Sequence, residues 1–172
     1  MPEGCLETTR LLWRAYVPRW AHAPLSGEGA ARFGGRWNPV GTPTIYAACE
    51  LSTAWAEYNQ GFVQHPALIA QLRLRGAVLA DLTDRSTLRT FEVDEAIHRC
   101  EWRSELDLGK MPMTHVLADK LLGLGFHGVL FPSFMSPGGT CAALWHWNGP
   151  DKPVLDVVDP EGRLPATAAS WL

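Results

Sequence analysis

The stretch FGGRWNPVGTPTIYAA, residues 33–48, sets two glycines, an arginine, a tryptophan and an asparagine before a turn and a short apolar run. Glycine lets other groups approach the backbone closely, and the guanidinium of Arg36 can hold an anion through two parallel hydrogen bonds. A chain that needed only a turn would not carry Arg36 and Trp37 there. The pattern predicts half of a pocket for an anionic, ring-bearing ligand, followed by a strand. The alternative is a structural loop whose Trp37 fills the core.

Apolar patterns on both sides of this stretch predict a mixed fold. Apolar or alternating runs favour strands over residues 11–17, 42–48, 67–76, 77–82, 127–133, 141–147 and 153–162. Helices are expected over 50–60, with Ser52 as N-cap, and over 114–125, closed by glycines. Residues 18–41 are predicted to form a long loop, and 88–112 short helix and loop. Strands dominate over two or three helices, which predicts a single α+β domain with a mainly antiparallel sheet and flanking helices.

Length and composition bound the possible functions. The 172 residues suggest one domain, spanning 1–172. Hydrophobic residues make up 47% of the chain and charged residues 19%, as expected for a globular protein. A net charge of -3 with both signs interspersed argues against a nucleic-acid-binding surface, which calls for a basic patch. RNA cleavage stays open, although nothing in the sequence favours it.

Cysteine spacing argues against a metal or redox site. Cys5, Cys49, Cys100 and Cys141 are scattered, without the close pairs that zinc ribbons and redox motifs need. No metal site is expected, because His98 and Cys100 lack a second pair of ligands. The N-terminus has no basic-then-apolar signal segment, and no apolar run approaches the ~20 residues of a membrane span. A soluble, reduced, cytoplasmic protein is therefore expected.

Common catalytic motifs do not fit the pattern. GLGFHG, residues 123–128, matches G-x-G-x-x-G, but a dinucleotide-binding loop follows a strand and opens a helix. Here the predicted order is reversed, so the glycines are expected to end a helix and turn the chain. The sequence has no P-loop, no H-E-x-x-H and no G-x-S-x-G, which removes the hydrolases that those motifs mark.

Three features remain that could carry chemistry. The first is GGRWN, residues 34–38. The second is Glu57, in the helix predicted after IYAA, where a single glutamate is more often simply solvated. The third is Ser133, which follows Pro132 at the end of a strand, where serine is also common in turns. Because the three come from distant parts of the chain and combine an arginine, a carboxylate and a hydroxyl, together they favour one site.

The chain resembles the RES domain family, which is named for Arg, Glu and Ser. The resemblance rests on Arg14 in the first strand, SGEGA from Ser26, GGRWNPVG from Gly34, IYAA from Ile45, Glu57, GVLFPS ending at Ser133, and the closing VVDPEGRLP. It covers nearly the whole chain. The chain departs from the family at His115, where a glutamine is often found, and after the Pro-Ser pair, where SPGGT offers Thr140 in place of an asparagine.

The resemblance implies a fold similar to that of ADP-ribosylating toxins and NAD+ as the substrate. Cleavage of the nicotinamide–ribose bond passes through an oxocarbenium-like state, which a carboxylate stabilises. Glu57 is the expected catalytic carboxylate, with Arg36 and Ser133 as further catalytic residues. Arg36 is expected to hold the pyrophosphate, with Arg14 as a second or alternative clamp. The other expected NAD+ contacts are the backbone at Gly35, the rings of Trp37 and Tyr46, with Tyr46 on the nicotinamide, and the polar groups of Ser133 and Asn38.

The resemblance also implies a bacterial toxin whose partner is usually a helix-turn-helix antitoxin. Transfer of ADP-ribose to a protein acceptor would make the chain an ADP-ribosyltransferase. Water as the acceptor would make it an NAD+ glycohydrolase, and phosphate a phosphorylase. All three outcomes share the bond-breaking step, and we favour the protein acceptor. A non-catalytic interaction module is the alternative of another class.

Overall fold

The computed structural model describes residues 8–61 and 63–171, which form one seven-stranded sheet. Cys5 lies outside the described residues. The strands are β1 (Thr8–Tyr16), β2 (Ile45–Ala48), β3 (Leu68–Ala77), β4 (Leu79–Asp81), β5 (Gly128–Pro132), β6 (Thr140–Leu144) and β7 (Val154–Val157). Their order across the sheet is β4-β5-β6-β2-β1-β3-β7. The β4–β5 pair is parallel and the other pairs are antiparallel, which confirms the predicted α+β class with a mainly antiparallel sheet.

Within the described residues, helices lie in the connections between strands. The α-helices are α1 (Glu28–Phe33), α2 (Leu51–Asn59), α3 (Arg85–Thr90), α4 (Trp102–Asp107) and α5 (Met113–Gly123). Short 3-10 turns span Pro18–Trp20, Glu95–Arg99 and Ala168–Trp171. Of the helices in these two described ranges, none is long and apolar enough to cross a membrane.

Buried side chains cover both faces of the sheet at its centre. The sequence of a central strand, β5, reflects this burial. In β5, Val129 and Phe131 belong to one core, together with residues of α3 and α5, whereas Leu130 between them belongs to the other, with residues of β1 and β3. A strand that is buried on both faces reads as a continuous apolar run instead of an alternating one. By contrast, β3 buries Leu72 and Leu74 almost completely, and its intervening positions are more exposed.

The prediction of a long loop over residues 18–41 is wrong, because α1 lies within it. A helix of six residues has little intrinsic stability, so contacts outside the helix must hold it. Gly34, in the left-handed region at φ +71°, ends α1 with its N–H donating to the carbonyl of Ala30 at 2.8 Å. The Asn38 side chain donates to the same carbonyl at 2.9 Å. The helix α1 is therefore held by the two hydrogen bonds that Gly34 and Asn38 donate to the Ala30 carbonyl. Local sequence patterns do not reveal such contacts.

The predicted cap of α2 is also wrong. The helix begins at Leu51, so Ser52 lies inside it, and the N-cap is Glu50, whose side chain makes no capping hydrogen bond. The Glu50 carboxylate instead accepts from the backbone N–H of Thr140 at 3.2 Å, at the start of β6. The Glu50 side chain therefore joins α2 to β6 and does not cap its own helix.

The GLGFHG segment turns the chain from α5 into β5, as the sequence predicts. Gly125 takes φ +87° in the turn, a conformation that favours glycine. Gly128 begins β5 opposite Leu144 of β6, where a Cβ atom would collide with the carbonyl oxygen of Ala143. These glycines are therefore required by the turn and by strand packing.

We expect Gly128→Ala to lower the free energy of unfolding by about 1–3 kcal/mol, the range for overpacking a close-packed site. Gly123→Ala is the matched control, because Gly123 is at the exposed end of α5 and an added Cβ would meet nothing within 4 Å. That variant should be neutral or more stable by up to about 1 kcal/mol, the helix-propensity gain. Urea unfolding followed by tryptophan fluorescence measures both. Equal stabilities for the two variants would contradict the described β5–β6 packing.

Candidate active site

A cleft of about 1000 Å³ opens among β1, α1, β2, α2, the segment 99–104 and the loop after β5. This volume is at the upper end of the range for small-molecule sites. Five of the residues that the sequence singled out line it: Arg14, Gly35, Arg36, Tyr46 and Glu57. These residues come from four separate segments of the chain, so the sheet and its connections bring them together.

One carboxylate oxygen of Glu57 is held by three hydrogen bonds. Its Oε1 accepts from the Ser133 hydroxyl at 2.6 Å and from the backbone N–H groups of Phe134 at 3.0 Å and Met135 at 3.2 Å. No N–H or O–H of residues 8–61 and 63–171 reaches the other oxygen, Oε2. The loop after β5 therefore fixes the carboxylate through one oxygen, and the Cys141 thiol also hydrogen-bonds to the Glu57 side chain.

Ser133 positions Glu57. While its hydroxyl donates to Glu57, the same oxygen accepts from the N–H of Ser136 at 2.9 Å, and the N–H of Ser133 donates to the carbonyl of Gly139 at 2.8 Å. Ser133 is not among the residues that line the cleft. Ser133 therefore contacts the Glu57 carboxylate but does not itself line the cleft.

The Cys141 thiol beside this carboxylate stays protonated. Burial raises the pKa of Cys141 to about 12, and the nearby Glu57 carboxylate acts in the same direction. A thiol is nucleophilic only as the thiolate. Cys141 lines the cleft, but it does not provide a nucleophile there.

Arg36 reaches the cleft from the loop that follows α1. Its guanidinium donates to the backbone carbonyl of His98 at 3.1 Å and lies 5.9 Å from the ring centre of Phe134. Burial lowers the pKa of His98, which keeps that side chain neutral at pH 7. A guanidinium has five N–H donors, so Arg36 retains most of them for a ligand.

Arg14 is more firmly tied to the protein. Its guanidinium donates to the carbonyls of Pro24 at 2.6 Å and Ser26 at 2.9 Å, which fixes the segment that leads into α1. Burial lowers the pKa of Arg14 to about 10, a value at which the side chain is still charged at pH 7. Arg14 therefore contributes positive charge to the cleft and anchors its wall.

The expected ligand contacts of Trp37 and Asn38 are not supported by their positions. Both side chains have 0% exposure, and neither lines the cleft. Trp37 packs in the core against Phe131, with ring centres 5.4 Å apart. The Asn38 amide donates to carbonyls around the loop, and its oxygen accepts from the Tyr46 hydroxyl at 2.7 Å. Trp37 therefore fills the core, whereas Arg36 of the same loop lines the cleft, and the ligand contacts of that loop stay a prediction.

The Tyr46 hydroxyl explains the second glycine of the pair. It accepts from the Trp37 N–H at 2.9 Å and donates to Asn38 at 2.7 Å, and burial raises the pKa of Tyr46 far above its ordinary value. A Cβ atom on Gly35 would collide with this hydroxyl. The Gly35 carbonyl accepts at 2.8 Å from Nε2 of the buried His115. The glycine pair was expected to let a ligand approach the backbone closely. At Gly35 the group that approaches the backbone is the Tyr46 hydroxyl of the protein itself.

The cleft also has walls that the sequence did not point out. They contribute aromatic rings and further charges: Trp13, Phe33, Tyr58, Arg99, Glu101, Trp102, Arg103 and Phe134. Four arginines face two glutamates among the charged lining residues, so the cleft is positive although the whole chain has a net charge of -3. The sequence has eight tryptophans, and this high number was the available signal for Trp13 and Trp102. Nothing in the local sequence indicated that Arg99 and Arg103 would join the site.

Comparison with known proteins agrees with this architecture. A chain in the crystal structure of the M. tuberculosis MbcT–MbcA toxin–antitoxin complex has a similar fold, with a TM-score of 0.65 and 20% sequence identity. The match covers 91% of this chain and 88% of that chain. No curated protein matches the chain significantly. The family model of the RES domain matches residues 11–167, and the chain therefore belongs to the RES domain family.

Proposed function

We propose that this chain is the toxin of a bacterial type II toxin–antitoxin pair that cleaves the nicotinamide–ribose bond of NAD+ in the cytoplasm. In the favoured form of the proposal, it transfers ADP-ribose to a protein acceptor. One observation carries the proposal, namely the carboxylate of Glu57 at the wall of the cleft. Its Oε1 is fixed by three donors, and its Oε2 has no N–H or O–H donor among the described residues.

The charge and shape of the cleft suit a dinucleotide. Its volume of about 1000 Å³ is at the upper end for small-molecule sites. Arginines bind the oxygens of a pyrophosphate through charge-assisted hydrogen bonds, and the lining contains more arginines than carboxylates. Aromatic side chains along the walls offer faces on which a nucleobase or a pyridine ring can stack.

The reaction needs little acid catalysis. As the bond between ribose C1′ and the nicotinamide nitrogen breaks, its electron pair stays on nicotinamide, which leaves as a neutral base. Positive charge develops on the ribose, and a preorganised carboxylate stabilises that charge more than it stabilises the ground state. A nucleophilic acceptor then forms the new bond to C1′ and releases its proton to solvent. In this scheme Glu57 is the catalytic carboxylate, and Ser133 is the positioning residue that holds it.

Arg36 is the better candidate for the pyrophosphate clamp. Among the described residues it commits one hydrogen bond, to the His98 carbonyl, whereas Arg14 commits two, at 2.6 and 2.9 Å. An arginine that holds its own loop in place has fewer donors left for a bidentate contact. We therefore assign the clamp to Arg36 and a supporting charge to Arg14.

Phosphate as the acceptor is the second candidate. Arg99 and Arg103 line the cleft, and neither guanidinium has a hydrogen bond or ion pair with another of the described residues. The guanidinium carbon of Arg103 lies 4.9 Å from the ring centre of Trp102. Guanidinium groups whose N–H donors are not used within the protein are suited to binding phosphate oxygens. This feature favours phosphorolysis over hydrolysis if no protein acceptor exists.

A neutralising partner is part of the proposal, because consumption of NAD+ would harm the cell that makes the enzyme. The similar M. tuberculosis structure is, by its title, a toxin–antitoxin complex, and a helix-turn-helix antitoxin is expected for the family. We assign the contact with this partner to a segment that carries several exposed apolar side chains, the kind of side chain that protein interfaces bury. They lie from the end of α4 into α5: Leu106, Leu108, Met111, Met113 and Val116.

We expect Glu57→Gln to reduce NAD+ turnover by about 10²-fold or more, the scale of losing one electrostatic partner of the transition state. Glutamine keeps an Oε1 acceptor for the loop after β5, so the fold and the KM for NAD+ should change little. Glu101→Gln is the matched control, since Glu101 lines the same cleft without a hydrogen bond to that loop. NAD+ labelled in the adenosine part gives the rate, and it also identifies the acceptor as protein, water or phosphate. Near-normal turnover by Glu57→Gln would remove Glu57 from the mechanism.

We also expect expression of the chain alone to arrest bacterial growth, and co-expression with its helix-turn-helix antitoxin to restore it. Glu57→Gln should accumulate in cells without arresting growth, because the protein remains folded but inactive. Growth curves and size-exclusion chromatography of the co-expressed pair measure these effects. Equal toxicity of the inactive variant would show that NAD+ chemistry is not the cause. Arrest in the presence of the antitoxin, with no complex on the column, would contradict the proposed partner.

A further inference from the structure

Phe134 connects the two functional side chains of the cleft. Its backbone N–H donates to Oε1 of Glu57 at 3.0 Å, and its ring centre lies 5.9 Å from the guanidinium carbon of Arg36. The ring lines the cleft and is 67% exposed. A large apolar ring left open to water within a ligand-sized cleft is a surface on which a ligand can stack.

Other aromatic residues of the cleft are less suited to this role. Tyr46 has its hydroxyl bound between Trp37 and Asn38, and Phe131 is buried at 7% exposure. Trp102 is only partly exposed and packs on the ring of His115, with ring centres 6.5 Å apart.

Phe33 is the ring most similar to Phe134 in exposure, at 73%. An arginine accompanies each of the two rings, and for Phe33 it is the neighbouring Arg32, 5.5 Å from the ring centre. Phe33 has no hydrogen bond to Glu57, however, and lies at the end of α1. Among these exposed rings, Phe134 is the one joined directly to the carboxylate.

We propose that the ring of Phe134 is the stacking platform for the nicotinamide ring of NAD+, a role that the sequence assigned to Tyr46. The inference rests on the proposed function and deepens it. If Glu57 stabilises charge on the ribose, the bond that breaks lies beside Glu57. The pyridinium is attached to that bond, so it occupies the space next to the carboxylate, where the loop carrying Phe134 begins.

The charge of the pyridinium determines how the kinetic constants depend on Phe134. In NAD+ the nicotinamide ring is a cation, and a cation over an aromatic face is attracted by the ring quadrupole. As the bond breaks, the ring becomes neutral, and this attraction fades. Phe134 therefore favours the bound substrate over the transition state. An interaction of that kind lowers KM and also lowers kcat, because it stabilises the bound substrate more than the transition state.

We expect Phe134→Leu to raise the KM for NAD+ by about tenfold, within the range for losing one aromatic stacking partner. We also expect kcat to rise, by up to about tenfold, because the lost attraction is weaker in the transition state than in the bound substrate. The inhibition constant of ADP-ribose, which lacks the nicotinamide, should stay within about twofold of the wild-type value. Phe134→Tyr keeps an aromatic face and should restore the KM. Phe33→Leu removes a similarly exposed ring of the same cleft and should not change the inhibition constant of free nicotinamide. Phe134→Leu should raise that constant, because nicotinamide loses its stacking partner.

Initial rates of NAD+ loss, with ADP-ribose and nicotinamide as inhibitors, provide all of these constants. Equal losses of affinity for NAD+ and ADP-ribose in Phe134→Leu would mean that the substitution disturbs Glu57 or Arg36, and would overturn the stacking role. A lower kcat with unchanged KM would overturn it as well. A wild-type protein that neither consumes NAD+ nor binds ADP-ribose would overturn the proposed function itself, so the two failures are distinguishable.

Discussion

The buried hydroxyl of Tyr46 is the contact on which the candidate site depends. It accepts from the Trp37 N–H and donates to the Asn38 side chain. Asn38 in turn donates to the Ala30 carbonyl in α1. Because burial holds the pKa of Tyr46 far above neutrality, the hydroxyl remains able to donate and to accept. A buried polar group without its partner costs about 1–3 kcal/mol, so these contacts strongly favour one loop conformation. In that conformation Trp37 and Asn38 are inside, and the arginine between Gly35 and Trp37 reaches the cleft.

The loop after β5 holds the Glu57 carboxylate in one position through hydrogen bonds, as the Tyr46 contacts hold the loop that carries Arg36. Ser133 and two backbone N–H groups of the loop after β5 converge on one oxygen of Glu57. The helix that carries Glu57 follows β2 directly, and β6, which follows the loop, pairs with both β2 and β5. The sheet therefore sets the distance between Arg36, the proposed pyrophosphate clamp, and a fixed carboxylate. Preorganisation of this kind is the main way in which proteins stabilise developing charge.

The sequence predicted the sheet and its class because those signals are local: alternating and continuous apolar runs mark strands. The roles of the site residues stay predictions, and the structure adds that five of them line one cleft. The errors arose where distant contacts decide the outcome. Trp37 appeared available for a ligand because its burial depends on Phe131 and on the β6 side of the core. Arg103, in the short helix α4, and Phe134, in a loop, were overlooked because single exposed residues have no periodicity, and only the fold brings them to the same cleft as Glu57.

We propose that Glu57 faces the ribose of NAD+ in this cleft, with the pyrophosphate on Arg36. A crystal structure of the Glu57→Gln variant with NAD+ would test this arrangement, because slow turnover should preserve the intact substrate. We expect ribose C1′ to lie next to the side chain of residue 57 and pyrophosphate oxygens to lie within hydrogen-bond distance of the Arg36 guanidinium. NAD+ bound elsewhere on the protein, or bound here with its ribose remote from residue 57, would show that this arrangement is wrong.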